Sequence, residues 1–332
     1  MITVDPLVIL ENKKNEIIMK RPSPLLTMGM PVYNEEKYIA EAIESLLAQT
    51  YKDFALVISD NASNDRTPAI CKYYAAKDSR ITYVRHPKNN GSLFNFSYVL
   101  KRANTPFFMW CGGHDKWHPQ FIEKLLPIIE TEDLVLVYPK TMETNMDGAL
   151  GEIYEDDYTT VEKDKPYDRF SYIMRHIGKC NALHGIWGTK VLRDIYVDPV
   201  FGYDVIVLAQ AAIKGKFKQQ GDILFFRRAM KREENKYQRQ LPVITGNHYQ
   251  KSPSEFLIKC KFILDNIKIL YQNNTSLSIV SKFLLSIKTI YIWTERFYLI
   301  PFSIKIFKQS LPRRLYYQLR SNYYKLKGIQ KI

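Results

Sequence analysis

Three aspartates far apart in the chain, Asp60, Asp115 and Asp204, are the first candidates for chemistry. Asp60 opens Asp60-Asn61-Ala62-Ser63-Asn64-Asp65, Asp115 closes Gly112-Gly113-His114-Asp115, and Asp204 follows Phe201-Gly202-Tyr203. Tyr33-Asn34-Glu35, Arg85 with His86, and the pair Arg227-Arg228 complete the set. Carboxylates at such places move protons or hold a hard cation, and guanidinium groups pair with phosphate. His114 and His118 have the four-residue spacing that puts two zinc ligands on one helical face. Pro119 undermines that reading, because it disfavours helical geometry at His118 and suits the first position of a helix starting after it. Cys71, Cys111, Cys180 and Cys260 form no CxxC pair, so neither a zinc ribbon nor a disulfide framework is signalled, and a reducing compartment fits.

The elements that must position these groups alternate. Residues 25–32, 54–59, 81–85, 106–111 and 134–138 read as strands, and the stretches from Asn34 to about 49, 68–77, 92–102 and Pro119 to about 129 read as helices. Asn34 is a candidate N-cap for the first of them. This alternation predicts an α/β fold with a mainly parallel sheet sandwiched by helices. Ligands collect at the carboxyl ends of such strands. The four polar clusters through Asp115 all fall there, so consecutive strand ends face one crevice. Further on, a Met-Asp-Gly turn within 142–152 suggests a hairpin, 166–176 a helix, 182–187 an apolar run before a short helix at 189–196, 201–214 a helix, and 217–226 a last strand.

Hydrophobic residues make up 46% of the 332, enough for a sizeable core. The net charge of +14 is unevenly placed: from Pro253 onward there are fourteen Lys/Arg against three Asp/Glu. That asymmetry argues against nucleic acid as partner and for a basic tail that meets an anionic surface. Pro242, Gly246 and Pro253 interrupt periodicity and mark a boundary near 240–253. No signal peptide or charge-free run of 18 apolar residues is expected, which predicts a cytoplasmic protein peripheral on the inner face of the membrane.

Met30-Pro31-Val32-Tyr33-Asn34-Glu35-Glu36, Ser45-Leu46-Leu47-Ala48-Gln49-Thr50-Tyr51, the loop from Ile58 to Thr67, and Asn90-Gly91 with Asn95 stand in order before the stretch 106–115. Together they resemble the family-2 glycosyltransferases of the GT-A fold, well over residues 25–140 and loosely over 180–228. The first twenty and last eighty residues have no counterpart in that family, so composition and periodicity set off an extension at 1–24 and a basic helical appendage at 253–332 from a GT-A domain at 25–240, which the resemblance divides into a nucleotide-sugar half (25–140) and an acceptor half (141–240). The resemblance implies an inverting enzyme that moves a sugar from a nucleoside-diphosphate sugar to a hydroxyl of a glycan or lipid-linked acceptor at the cell surface, and also the roles that follow.

Asp60 would accept the imide N–H of a uracil-type base, or merely turn the chain. Pro31, Tyr33 and Glu35 would line the nucleoside, with Tyr33 as an aromatic wall or else a packing residue; Asn95 continues the donor site. Arg85 would touch base or phosphate, and Arg227 and Arg228 the diphosphate, unless these arginines are solvated. The family's paired aspartates after the fourth strand are replaced by His114-Asp115, leaving Asp115 as the acidic ligand of a Mn²⁺ or Mg²⁺ ion. His114 is a second ligand, a phosphate contact or a structural residue. Asp204 is the candidate general base, or the N-cap of its helix. The missing carboxylate keeps open a catalytically weak relative that binds nucleotide sugar or a membrane partner. In the tail, Lys282, Lys288, Glu295 and Arg296 project within one arc of the segment 279–300, so its other, apolar face either lies in a membrane interface or packs on the domain.

Overall fold

The computed structural model describes residues 8–11, 17–20, 24–154, 158–195, 202–229, 263–264, 266–272 and 277–294. The chain forms two compact units: one of Met1–Glu155, Asn181–Arg193 and Lys218–Lys231, the other of Asp156–Cys180, Asp194–Phe217 and Arg232–Ile332. The expected boundary near 240–253, together with Phe201, Tyr196 and the tail cations beyond Thr294, lies outside the described residues.

The first unit begins with an antiparallel ribbon, β1 (Val8–Glu11) with β2 (Ile17–Lys20). The sequence suggests only an extension there, because three or four apolar residues interrupted by Glu and Lys carry little periodic signal. The main sheet has the order β5-β4-β3-β6-β10-β8-β11-β7, with β9 beside β8. Its parallel part is β3 (Leu26–Val32), β4 (Phe54–Asp60), β5 (Ile81–Arg85) and β6 (Phe107–Trp110). β3 is buried along nearly its whole length, as a central strand covered on both faces must be.

Beyond β6 the sheet turns antiparallel. β10 (Ile186–Gly188) runs against both β6 and β8 (Leu134–Thr144). β8 continues past the expected Tyr138 into a hairpin with β9 (Leu150–Tyr154), and β11 (Lys216–Arg228) meets the short β7 (Lys116–Trp117) at its far end.

The helices of this unit follow the sheet. α1 (Ile39–Leu47) buries Ile39, Ala42, Ile43 and Leu46, the three- and four-residue spacing of a single helical stripe. It starts later than the sequence implied, and its N-cap is Tyr38, not Asn34. Asn34 sits in the left-handed region at φ 55°, so the chain turns there before entering the helix. α2 (Thr67–Lys77), α3 (Ser92–Arg102) and α4 (Phe121–Thr131) complete the alternation. The 3-10 turn Asn181–His184 and α5 (Thr189–Arg193) flank β10.

The second unit is helical. α6 (Pro166–His176) packs on α7 (Tyr203–Lys214) and carries α8 (Ile279–Thr294). Arg169 of α6 is buried and donates to the carbonyls of Ala212 (2.7 Å) and Ile213 (3.1 Å), satisfying acceptors that the last turn of α7 leaves without intrahelical partners. α8 buries Leu285, Ile292 and Trp293, residues of the apolar face for which the sequence leaves membrane and packing roles open, and Lys282 projects over that same buried sector. The helix is apolar on both sides because one side is core.

Candidate functional site

The loops after β3 and β4 are polar because they satisfy each other. Asn34 N–H donates to Ser63 Oγ at 2.9 Å, Glu35 N–H to Thr67 Oγ1 at 2.8 Å and Glu36 N–H to Asp65 Oδ2 at 3.1 Å. In return Asn34 Oδ1 accepts from Asn64 N–H and Glu36 Oε2 from Arg66 N–H. Asn61 extends the lock to the loop after β5, donating to Asn89 Oδ1 and to the Gly91 carbonyl and accepting from Asn90 N–H. Three strand ends are thereby fixed to one another without help from a ligand, which leaves Tyr33 44% exposed beside half-buried Pro31 and Glu35.

Asp60 ends β4 with its side chain fully buried. Its Oδ1 accepts from Ser63 N–H at 2.8 Å, closing the turn that the sequence allowed as its alternative role. Its Oδ2 accepts from the Tyr83 hydroxyl at 2.7 Å, with Arg85 Nε 3.6 Å away. Burial, then the bond to Asp60, holds the Tyr83 phenol far above its ordinary range, so it remains a donor. Tyr83 escaped the sequence reading. Strand parity was the available signal, since Tyr83 and Arg85 are two apart on β5 and share a face. The Arg85 side chain is 44% exposed and also donates to the Ser63 carbonyl.

Asn95, expected among the donor contacts, is instead a brace beneath the strand ends. It is buried, its amide donates to the carbonyls of Ser59 (2.9 Å) and Val32 (3.3 Å), and its oxygen accepts from Ser59 Oγ. Ser59 Oγ also meets His86 Nε2 at 2.8 Å, and Phe94 and Tyr98 enclose that ring edge-on.

After β6 the chain passes close under the first loop: a Cβ on Gly113 would lie 3.0 Å from Glu35 Cγ and 3.1 Å from Val32 Cγ1. That approach lets His114 Nδ1 reach Glu35 Oε1 at 2.9 Å. Asp115 points the other way. It is 3% exposed, its Oδ1 accepts from Arg228 N–H at 3.0 Å, and its Oδ2 lies only 2.4 Å from where a Gly112 Cβ would be. The expected acidic metal ligand is thus turned inward and holds the end of β11.

Arg228 is likewise a brace and not a diphosphate contact as its side chain stands. Nη2 donates to Glu41 Oε2 at 3.0 Å, Nη1 to the Met146 carbonyl at 3.1 Å, and the guanidinium lies over the Tyr38 ring at 4.2 Å. Arg227 is half-buried with Nη1 on Asn181 Oδ1 at 2.5 Å. His184, which the sequence reading passed over inside an apolar run, is buried with Nδ1 donating to the Trp110 carbonyl at 3.1 Å. Burial foremost, and Arg227 as well, push its pKa down against the opposing pull of Asp115, keeping the ring neutral.

Among the described residues no three His, Cys, Asp or Glu side chains converge on a metal position. Mg²⁺ and Mn²⁺ nevertheless need only one or two protein ligands when phosphate oxygens supply others, and imidazole suits Mn²⁺ better than Mg²⁺. The half-exposed His114–Glu35 pair fits such an ion; Asp115 in its inward rotamer does not. His114 and His118 flank β7, so they share no helix face and the zinc reading falls.

In the second unit Asp204 occupies the first turn of α7, whose N-cap is Gly202 at φ 68°, a left-handed position that favours glycine. The capping role open to Asp204 is therefore not the one it plays. Its Oδ1 accepts from Val205 N–H at 2.9 Å.

The family model described as Glycosyl transferase family 2 matches residues 27–198, just over half of the chain. The chain belongs to glycosyl transferase family 2. Among its relatives in this family is an uncharacterized glycosyltransferase of Rickettsia typhi, 35% identical over 118 residues, which are 35% of this chain and 36% of that one. TuaG of Bacillus subtilis, named as a teichuronic acid biosynthesis glycosyltransferase, is 31% identical over 31% of this chain and 41% of its own. The chain spans well under half the length of these curated relatives. Among solved structures, S. aureus TarS 1-349 in complex with UDP-GlcNAc superposes with a TM-score of 0.59 over 82% of this chain and 73% of that one, at 16% identity. This likeness is one of fold, the GT-A sheet with helices on both faces that the family-2 motifs imply.

Proposed function

We propose that this protein is an inverting glycosyltransferase that moves a sugar from a nucleoside-diphosphate sugar, with uridine as the nucleoside, onto a hydroxyl of a cell-surface glycan or lipid-linked acceptor. The observation that carries the reading is the interlocked row of strand ends, where Tyr33, Asp60 with Tyr83 and Arg85, and the Glu35–His114 pair stand on four consecutive parallel strands. A base stacked against Tyr33 would present its imide N–H to the carboxylate of Asp60, an acceptor with lone pairs beyond those already engaged. Entry of the base would require Tyr83 or Arg85 to swing aside. The fold likeness to TarS, solved with UDP-GlcNAc, supports the donor class, and the relative TuaG, named for teichuronic acid biosynthesis, supports the acceptor class.

In the reaction, Asp204 takes the proton of the acceptor hydroxyl as its oxygen attacks the anomeric carbon. The bond from that carbon to the diphosphate oxygen breaks, the electron pair leaves with the diphosphate, and configuration inverts. Arg227 and His114 meet the developing charge. A divalent ion held by His114 and Glu35 would add neutralisation of the leaving diphosphate. Asp115 and Arg228 keep the loop beneath in place.

The test is calorimetric binding of a panel of uridine, guanosine and thymidine diphosphate sugars to purified protein, followed by donor hydrolysis. A uridine diphosphate sugar should bind with Mn²⁺ present and hydrolyse slowly. Absence of binding by every donor at millimolar concentration would refute the reading. Binding without any turnover would favour a catalytically weak relative, which the His114 replacement also motivates.

A further inference from the structure

We infer that the outer face of α8 is a docking surface for an anionic lipid bilayer, a proposal independent of the donor and reaction assigned above. Leu285, Ser286, Thr289, Ile292 and Trp293 are the buried side of this helix, packed toward α6. The opposite side carries Ile279, Val280, Phe283, Leu284, Ile287, Ile290 and Tyr291, which are 48% to 80% exposed. Their three- and four-residue spacing makes one continuous stripe, and it holds no charged side chain. Apolar stripes this long on a protein surface mark an interaction site.

The occupant follows from charge. Lys282 and Lys288 stand outside the stripe, their ammonium groups near the rings of Tyr271 (5.6 Å) and Tyr167 (5.9 Å). Directly after α8, residues 295–332 contain nine Lys/Arg and a single acidic residue, Glu295. An apolar face continuous in sequence with a strongly basic segment suits a surface that is greasy within and diffusely negative at its boundary. A folded partner would instead need polar groups on the stripe to set register, and these positions supply only the Tyr291 hydroxyl. At sixteen residues the helix spans about 24 Å, and no helix among the described residues is long and apolar enough to cross a membrane. It would lie in the interface plane.

Full-length protein should co-sediment with phosphatidylglycerol-containing vesicles at low salt, poorly with pure phosphatidylcholine, and be released by high salt. The double variant Phe283→Glu/Ile287→Glu should lose vesicle binding by about tenfold or more while melting at the same temperature as the wild type. Unchanged co-sedimentation of that variant would overturn the proposal. So would a wild-type dimer, monomeric in the variant, with no vesicle binding by either. Should the double variant misfold, Phe283→Cys in a Cys260→Ser background, labelled with a polarity-sensitive dye, reads the same face. Its emission should be water-like in buffer and shift to the blue with anionic vesicles; blue emission already in buffer means that protein covers the stripe and the inference fails.

Discussion

His114 Nδ1 lies 2.9 Å from Glu35 Oε1, joining the loop after β6 to the loop after β3. The resemblance puts His114-Asp115 where the family has paired aspartates, and the His114 imidazole here meets a carboxylate from a different loop. If this pair holds the ion, His114→Ala should raise the Mn²⁺ concentration for half-maximal donor hydrolysis by about tenfold or more, the usual size of a lost metal-site contact. Asp115→Asn keeps an oxygen for Arg228 N–H and should leave that concentration nearly unchanged. A metal titration that is altered in Asp115→Asn and normal in His114→Ala would return the ligand role to Asp115.

Asp60→Asn should weaken uridine diphosphate binding by about 1.5–3 kcal/mol, the range for a hydrogen bond to a charged group. Tyr83→Phe removes a competitor for the same oxygen and should not weaken it. Calorimetry of both variants decides. Equal losses would mean that the Asp60–Tyr83 contact only shapes the loop.

Asp204→Asn should lower the transfer rate by about 10²- to 10⁴-fold, the span expected for a general base, with donor affinity preserved. Single-turnover kinetics alongside donor titration separate the two quantities. A joint fall would assign Asp204 to structure.

Asn95→Ala should cost about 1–3 kcal/mol of stability, because it leaves buried partners on Ser59 and Val32 unpaired. Urea unfolding reads the change. A variant of unchanged stability but weakened donor binding would restore Asn95 to the donor contacts.

The Cys71 thiol is pushed up to about 12 by burial first and then by the charges of Asp60 and Asp65. It should therefore resist thiol reagents at pH 8 in the folded protein. The unfolded thiol, with its ordinary value of 9.0, releases its proton first as pH rises. Stability from this group is therefore complete below about pH 9 and declines from there toward pH 12. Cys71→Ala should show a shallower alkaline loss in urea unfolding. Rapid labelling of Cys71 in the native state would contradict its burial.

The amino-acid order alone determined the parallel half of the sheet. Largely apolar runs such as 26–32 and 54–58, alternating with helical periods, admit few other arrangements, and β5 and α3 fall on the expected residues. Those same runs placed the polar clusters at strand ends. What each cluster residue does was decided only by tertiary contacts. A buried Asp115 accepting from Arg228, or an Asn95 spent on Ser59 and Val32, looks in sequence like any ligand-binding polar side chain, because the partner that consumes its hydrogen bonds lies 113 or 36 residues away. The same holds for α8. Its composition announced an apolar helix, but which side is core and which is surface depends on α6, more than a hundred residues earlier in the chain. Local periodicity says that a face exists; packing chooses the face.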